Sequence, residues 1–483
     1  MPGRHPIPER DPAPISLGPR PRILAIKLST LGDLLLALPS FRALRTRYPA
    51  ARLDLLTTAA SALLIADSPL ADHVYTLDLD VGHGMLRPGT LACSAATLAA
   101  LRANHYDAAL LLHHLTLPGG RRKHRALLAT IAPRITAGLD NGYGGFLDLR
   151  VPDGGFGARH EAEYALAVAQ AVGAVPLASH ERAPRLADLG WDAREAEGAT
   201  AEDGEDAEGR EREAEETRRP RSKRGGREGQ SGAIAEGTES DVEGPSYSAR
   251  AHGWGSRARG SREDYPRSFR PPAALTTAAA LDVVSPPGPP APEGEGGTGV
   301  SLIALHPGGG EYSLARRWPA VRYAEVAATL RAETHGQIVV VAGPGEEALA
   351  GEVVAGLGAP EWARVEAPAT PRELAALLVR CAIFIGNDAF PMHLAAAAGI
   401  PVVAIFGPSN ARAWGPYAPS EPERVAVVRR DELPCSPCFY RGHELGLREG
   451  CPPRMCLTNL PVEHVLAAAR RLLSARCATE QRV

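Results

Sequence analysis

The composition of this 483-residue chain breaks near Gly190 and recovers near Val300, and that break limits what can fold. Residues 191–299 hold 17 Gly and 10 Pro but only seven Leu, Ile, Val or Phe in 109 positions. Charge comes in blocks, acidic over 202–216 and then basic over 218–227. With 22 acids against 15 bases, the stretch carries too little apolar surface to offset the entropy of ordering it. A disordered insert or linker is expected over 191–299, either without a role of its own or as an interaction arm. Setting it aside leaves 374 residues, enough for two domains rather than the three that total length suggests. No repeat of solenoid period is present.

Several classes drop out on composition. A net charge of −3 argues against a chain that binds nucleic acid over its whole surface. No apolar run reaches the 18 or so residues of a membrane span. The first 21 residues are Pro-rich without an apolar stretch, so a secretory signal is not expected. Seven cysteines make no disulfide framework, and a reducing cytoplasm is the expected compartment.

On both flanks, short apolar runs alternate with segments of helical period. Strands are expected at 22–28, 52–57, 73–77, 108–113 and 134–137, with helices at 34–48, 91–103 and 161–172. After the insert, strands are expected at 301–306, 337–342, 364–366, 382–385 and 402–406. Helices are expected there at 321–333, 346–356, 371–380, 392–398 and 461–474. The alternation implies βαβ units and parallel sheets, so the fold class is α/β with two Rossmann-like domains facing a cleft. The expected divisions are a disordered tail 1–21, a domain 22–190, the insert, a domain 300–474 and a tail 475–483. Ligands of such sheets sit beyond the carboxyl ends of the strands.

The motifs fall at those ends. Leu28-Ser29-Thr30-Leu31-Gly32-Asp33 follows the first strand. Gly32 suits a tight turn; Asp33 is either a first-turn acid interacting with the helix dipole or a carboxylate able to take a proton from an acceptor hydroxyl. His306-Pro307-Gly308-Gly309-Gly310 precedes Arg316-Arg317-Trp318-Pro319. A glycine run there lets backbone N–H groups approach an anion, and the arginines can neutralise a diphosphate; a plain surface loop is the alternative. Gly343-Pro344-Gly345-Glu346-Glu347 offers acids to ribose hydroxyls, or only to a helix N-terminus. Asp388 and His393 open an Ala-rich helix, and Phe406-Gly407-Pro408-Ser409-Asn410 ends a later strand with Trp414 nearby. No GxGxxG stands where a dinucleotide oxidoreductase requires it.

Four pieces occur in a telling order: RILAIKLSTLGDLLLALPSFRALRTRYP, HPGGGEYSLARRWP, IGNDAFPMHLAAAAGIPVVAIFGPSNARAWGP and a Cys-containing tail ending CLTNLPVEHVL. Together they resemble glycosyltransferase family 9, the ADP-heptose:lipopolysaccharide heptosyltransferases, over both flanks. The resemblance implies a GT-B fold with the acceptor on the first domain and the nucleotide sugar on the second. It implies inverting transfer from an ADP-sugar to a lipopolysaccharide inner-core or similar glycolipid acceptor, with no required cofactor or metal. Asp33 then matches the catalytic base. Arg316, Glu347 (with Glu346 beside it), Asp388 and His393 match the donor side, to which the glycine run and the arginine pair add Gly308, Gly309 and Arg317. Ser29 and Thr30 match the acceptor side, to which the basic cluster Arg121-Arg122-Lys123-His124-Arg125 adds Arg121 and Arg122. The family motif runs Asp, Ser or Thr, Gly; here Ala389 and Phe390 follow Asp388, which leaves open a transferase or epimerase using another nucleotide sugar, or a non-catalytic member.

Two further expectations follow. Residues 20–150 carry 15 Arg or Lys against 9 Asp or Glu, which suits either an anionic acceptor or membrane surface, or an ordinary solvated face. A cytoplasmic monomer, peripheral at the inner face of the membrane, is expected. Cys435, Cys438, Cys451 and Cys456 read as a structural Zn²⁺ site, as free thiols or as a local disulfide.

Overall fold

The fold is given by a computed structural model that describes residues 5–77, 88–191, 302–310, 314–446 and 449–480. From residue 192 on, the expected insert lies outside the described residues. The first half runs β1 (Arg22–Lys27), α1 (Leu31–Arg47), β2 (Arg52–Thr57), α2 (Ala59–Ile65), β3 (His73–Thr76), α3 (Pro88–Ala103), β4 (Ala108–Leu111), α4 (Pro118–Ile131), β5 (Ile135–Asp140), β6 (Leu149–Pro152) and α5 (Glu161–Ala171). The second half runs β7 (Leu302–His306), α6 (Ala320–Thr334), β8 (Gln337–Val341), α7 (Glu347–Gly356), β9 (Ala363–Glu366), α8 (Pro371–Val379), β10 (Ile383–Asn387), α9 (Phe390–Ala397), β11 (Val402–Ile405), α10 (Ala411–Trp414), β12 (Val425–Val428), α11 (Met455–Thr458) and α12 (Val462–Glu480).

Both sheets are wholly parallel and share one order. The first reads β3-β2-β1-β4-β5-β6, and the second, taken from its far edge, β9-β8-β7-β10-β11-β12. The central strands are unbroken apolar runs because helices cover both faces: Ile23 to Ile26 and Ile303 to Leu305 are buried throughout. This is the α/β, GT-B arrangement of two Rossmann-like halves.

Helix α1 explains how the halves meet. Leu34, Leu35, Leu38, Phe41 and Leu44 are all buried, which is more than one apolar stripe. It is covered twice, by α5 in its own half and by α9 from the other. One apolar cluster therefore runs through Leu34, Phe41 and Tyr164 into Met392, Leu394 and Ala395.

Some elements escape the pattern reading. Strand β6 is a four-residue edge strand ending at Pro152, and β12 is its counterpart in the second sheet. Helix α4 opens Pro-Gly-Gly and carries the basic cluster, so it resembles a loop until Leu127, Leu128 and Ile131 are seen packed. The stretch 5–21, expected to be disordered, is instead tied along the first half. His5 N–H donates to Gly142 O (3.1 Å), Asp11 pairs with Arg159 (3.0 Å), and Ile15 N–H donates to Ala171 O (3.1 Å). At the other end, α12 continues through 475–480, where a tail was expected. Among the described residues, no helix is long and apolar enough to cross a membrane.

Candidate functional site

A cavity of about 800 Å³ opens where the central strands of both sheets end. It is lined after β1 by Lys27 to Asp33, after β4 by His113 and His114, after β7 by His306, Gly309 and Gly310, and after β10 by Asp388 to Phe390. The β1/β4 and β7/β10 junctions are the points where each sheet's strand order reverses, and crevices form there because successive helices leave on opposite faces.

On the first-half wall, Thr30 precedes α1 and its hydroxyl donates to Asp33 Oδ2 at 2.9 Å. Trp414 Nε1 donates to Asp33 Oδ1 at 3.0 Å. Asp33 therefore reaches the cleft, as expected. Gly32 does something other than turn the chain. It lies inside α1, and a Cβ there would stand 3.0 Å from His393 Cδ2, so glycine is what lets α9 approach. Ser29 shares the wall, its carbonyl accepting from the Ser61 hydroxyl at 2.7 Å.

Deeper on the same side, His114 is gripped at both ring nitrogens, by Asp153 Oδ2 and Glu161 Oε1, each at 2.9 Å. Burial opposes a charge there, but the two carboxylates outweigh it and raise the imidazole to about 10. His114 is thus an imidazolium at neutral pH. Its neighbour His113 goes the opposite way: burial, His124 and Lys27 push it well below its ordinary value. His113 Nε2 accepts the N–H of Leu28 (2.7 Å) as a neutral ring can. Lys27, one of only three lysines in the chain, is buried here with Nζ on Leu112 O (3.0 Å).

On the second-half wall, the glycine run does cradle an anion, but the anion is the chain's own Glu346. Its Oε1 accepts the N–H groups of Gly309 and Gly310 (both 2.9 Å) and Arg317 Nη2 (3.0 Å), while Oε2 meets His306 Nε2 at 3.1 Å. A Cβ on Gly308 would fall 2.0 Å from that carboxylate, so only glycine fits. Burial works against ionisation, yet His306 and the backbone donors prevail and hold Glu346 well below the usual carboxylate range. Arg316 bridges Asp388 Oδ2 (3.3 Å) and Gly309 O (2.9 Å) and lines the cavity. His393 is buried, and burial keeps it neutral against the pull of Asp388 and Asp33. Its Nδ1 has no hydrogen-bond partner among the described residues. The start of α9 is a poorer anion site than its position suggests, because Ala389 caps nothing and Pro391 lacks an N–H.

Several candidates fall elsewhere. Glu347 is exposed on α7 and does not line the cavity; the buried neighbour Glu346 does. Arg317 is committed to Glu346 and is not on the wall. Arg121 is bound to the carbonyls of Leu115 and Thr116 (both 2.7 Å) and stacks over Tyr143, and Arg122 is exposed on α4; neither lines the cavity. Cys435, Cys438, Cys451 and Cys456 are free thiols. Burial first, then the neighbouring cysteines, raise Cys456 to about 11. Among the described residues, no group of three or more His, Cys, Asp or Glu is arranged to hold a metal ion. Pattern reading noted Trp414 only as a neighbour of a Gly-Pro turn, and missed His114, Asp153 and Glu161, whose pairing spans 47 positions.

Comparison with known proteins bears on this site. Residues 297–447 match the profile of glycosyltransferase family 9 (heptosyltransferase). Lipooligosaccharide heptosyltransferase 2 of Campylobacter jejuni is 30% identical over 179 residues, 36% of this chain and 52% of that one. Lipopolysaccharide heptosyltransferase 2 of Salmonella typhimurium is 36% identical over 132 residues, 26% of this chain and 36% of that one. The chain thus spans about half the length, or less, of these relatives. In fold, the Escherichia coli ADP-heptose lipopolysaccharide heptosyltransferase II structure aligns with a TM-score of 0.55 at 19% identity, covering 94% of this chain and 99% of that one. A glycosyl transferase family 9 structure from Veillonella parvula gives 0.57 at 18% identity, covering 94% and 97%. Residues 297–447 thus match glycosyltransferase family 9 (heptosyltransferase), and both halves share their fold with these solved structures.

Proposed function

We propose that the chain is an inverting glycosyltransferase that moves a heptose from ADP-heptose to a lipopolysaccharide inner-core or similar glycolipid acceptor. One observation carries the reading: a single cavity has the Asp33 carboxylate on one wall and the Arg316–Asp388 pair with His393 on the other. Inverting transfer needs a base at the acceptor hydroxyl and a cation where the diphosphate leaves, on opposite sides of the anomeric carbon. Asp33 takes the proton. Arg316 meets the growing charge on the diphosphate, and the neutral His393 offers a nitrogen to the donor. The half over 22–190 holds the acceptor and the half over 300–474 holds the nucleotide sugar. The walls in contact exclude water that would hydrolyse the donor. The working form is a monomer at the inner face of the cytoplasmic membrane.

The test is turnover of ADP-, GDP- and UDP-sugars, with and without acceptor. Transfer from ADP-heptose that depends on acceptor and is lost in Asp33→Ala supports the reading. Turnover of a nucleotide sugar without acceptor indicates an epimerase, and no donor binding by calorimetry sinks the enzyme reading altogether.

A further inference from the structure

We infer that Trp414 is a positioning residue for Asp33, holding the carboxylate from across the cleft so that it is aimed only when the two halves are docked. The inference rests on the base role given to Asp33 above. Asp33 is gripped at both oxygens, by the Thr30 hydroxyl at 2.9 Å and the Trp414 indole N–H at 3.0 Å. One donor is three residues away and the other 381 residues on, in the other half. Each carboxylate oxygen keeps a second lone-pair direction, so an acceptor hydroxyl can still be received. Rotating the carboxylate out of its plane breaks both bonds, so the pair of donors sets its orientation.

Trp414 can do this because it is itself immobilised. Its ring lies 4.2 Å from that of Tyr440 and 5.1 Å from that of Phe156, which belongs to the first half. Asn410, at the start of α10, clamps the same seam: its Nδ2 donates to Phe156 O (3.1 Å) and Tyr440 O (3.0 Å). Phe156 N–H donates to Gly442 O at 2.7 Å. Glycines make this approach possible. A Cβ on Gly157 (φ +82°) would stand 2.6 Å from Asn410 Nδ2, and one on Gly155 (φ +88°) 2.5 Å from Gly442 O. The indole reaches Asp33 only through this seam, so an undocked chain has a base held by Thr30 alone.

The bland alternative is that Trp414 packs, and its N–H found a convenient acceptor. Steady-state kinetics on the full chain with the active nucleotide sugar and acceptor separate the two. Trp414→Phe keeps an aromatic ring and removes the donor. The expected result is a kcat lower by about 10- to 100-fold, with KM for both substrates within about twofold, as for a misaimed catalytic group. Asp33→Asn lowers kcat further, and adding Trp414→Phe to it costs nothing more, since the two act as one unit. If Trp414→Phe is poorly folded by thermal melting, the isosteric benzothienylalanine at 414 carries the same test. Unchanged kcat in the donor-free variants, or a raised KM alone, overturns the positioning role while leaving Asp33 as base. Wild-type turnover by Asp33→Asn overturns the base itself, and no turnover by the wild-type chain with any nucleotide sugar overturns both.

Discussion

On the second-half wall of the cavity each acid is matched by an arginine: Asp388 by Arg316 and Glu346 by Arg317. On the first-half wall the balance is reversed. A single imidazolium, His114, is shared between Asp153 and Glu161, and Asp33 is held by neutral donors. Both walls come from the same strand order and the same junction of each sheet. Identical topology therefore delivers two different electrostatic surfaces, and the strand-end residues decide which. A wall of paired charges suits an incoming diphosphate, which can displace a carboxylate from an arginine. A wall with an acid on neutral donors suits proton abstraction, because among the described residues no cation pairs with Asp33. Fold alone would have assigned neither role.

The contrast can be broken in several places. The largest effect is expected at Asp33: its replacement by Asn should lower kcat by about 10² to 10⁴, the usual worth of a positioned base, with donor affinity retained in calorimetry. Next is His114, whose removal strands two buried carboxylates. His114→Ala should cost about 3–5 kcal/mol of stability, read from the urea midpoint at constant m-value. Arg316→Met should weaken donor binding by about 10- to 100-fold, the worth of a charge-assisted hydrogen bond, and leave acceptor KM alone. A smaller, graded effect is expected with pH. His114 keeps its proton up to about 10 in the folded chain, whereas an unfolded imidazole sheds it near its ordinary 6.5. Between those values the folded state binds more protons, so this group's stabilisation, complete below about 6.5, drains away as pH rises, by at most about 1.4 kcal/mol per unit. His114→Gln should flatten that slope in pH-dependent melting. The smallest effect sharpens the second wall: Glu347→Gln should change stability and donor affinity by less than about 0.5 kcal/mol, whereas Glu346→Gln should disturb both. A loss of donor affinity in Glu347→Gln as large as that in Glu346→Gln would show that the exposed acid serves the donor as well as the nested one.

Much of this architecture is legible in the sequence because its signals are local. An apolar run such as RILAIK or QIVVV can only be a strand covered on both faces, and a Gly or Pro cluster after it marks the strand's end. Asp33, Arg316, Asp388 and His393 were within reach for that reason. In sequence the glycine run at 308–310 reads as an anion cradle or as a plain surface loop, and nothing in it names the anion. Glu346 fills it from 36 and 37 positions away. Glu346 and Glu347 differ in burial, not in type, so no pattern separates them. Arg121 and Arg122 looked like ligand contacts because exposed charge is easily counted. The backbone carbonyls and the Tyr143 ring that occupy Arg121 are invisible to a count.

By itself, then, the sequence determined the alternation of elements, the two parallel sheets and several of the residues delivered to the carboxyl ends of their strands, Asp33, Arg316, Asp388 and His393 among them. Hydrophobic period and turn chemistry act over a few residues and need no partner. The tertiary structure alone decided which donor meets which acceptor: Trp414 with Asp33, His114 with Asp153 and Glu161, and Glu346 with its glycines. A hydrogen bond depends on tenths of an ångström between groups up to 381 positions apart, and only packing the halves through α1 and α9 brings those groups within reach.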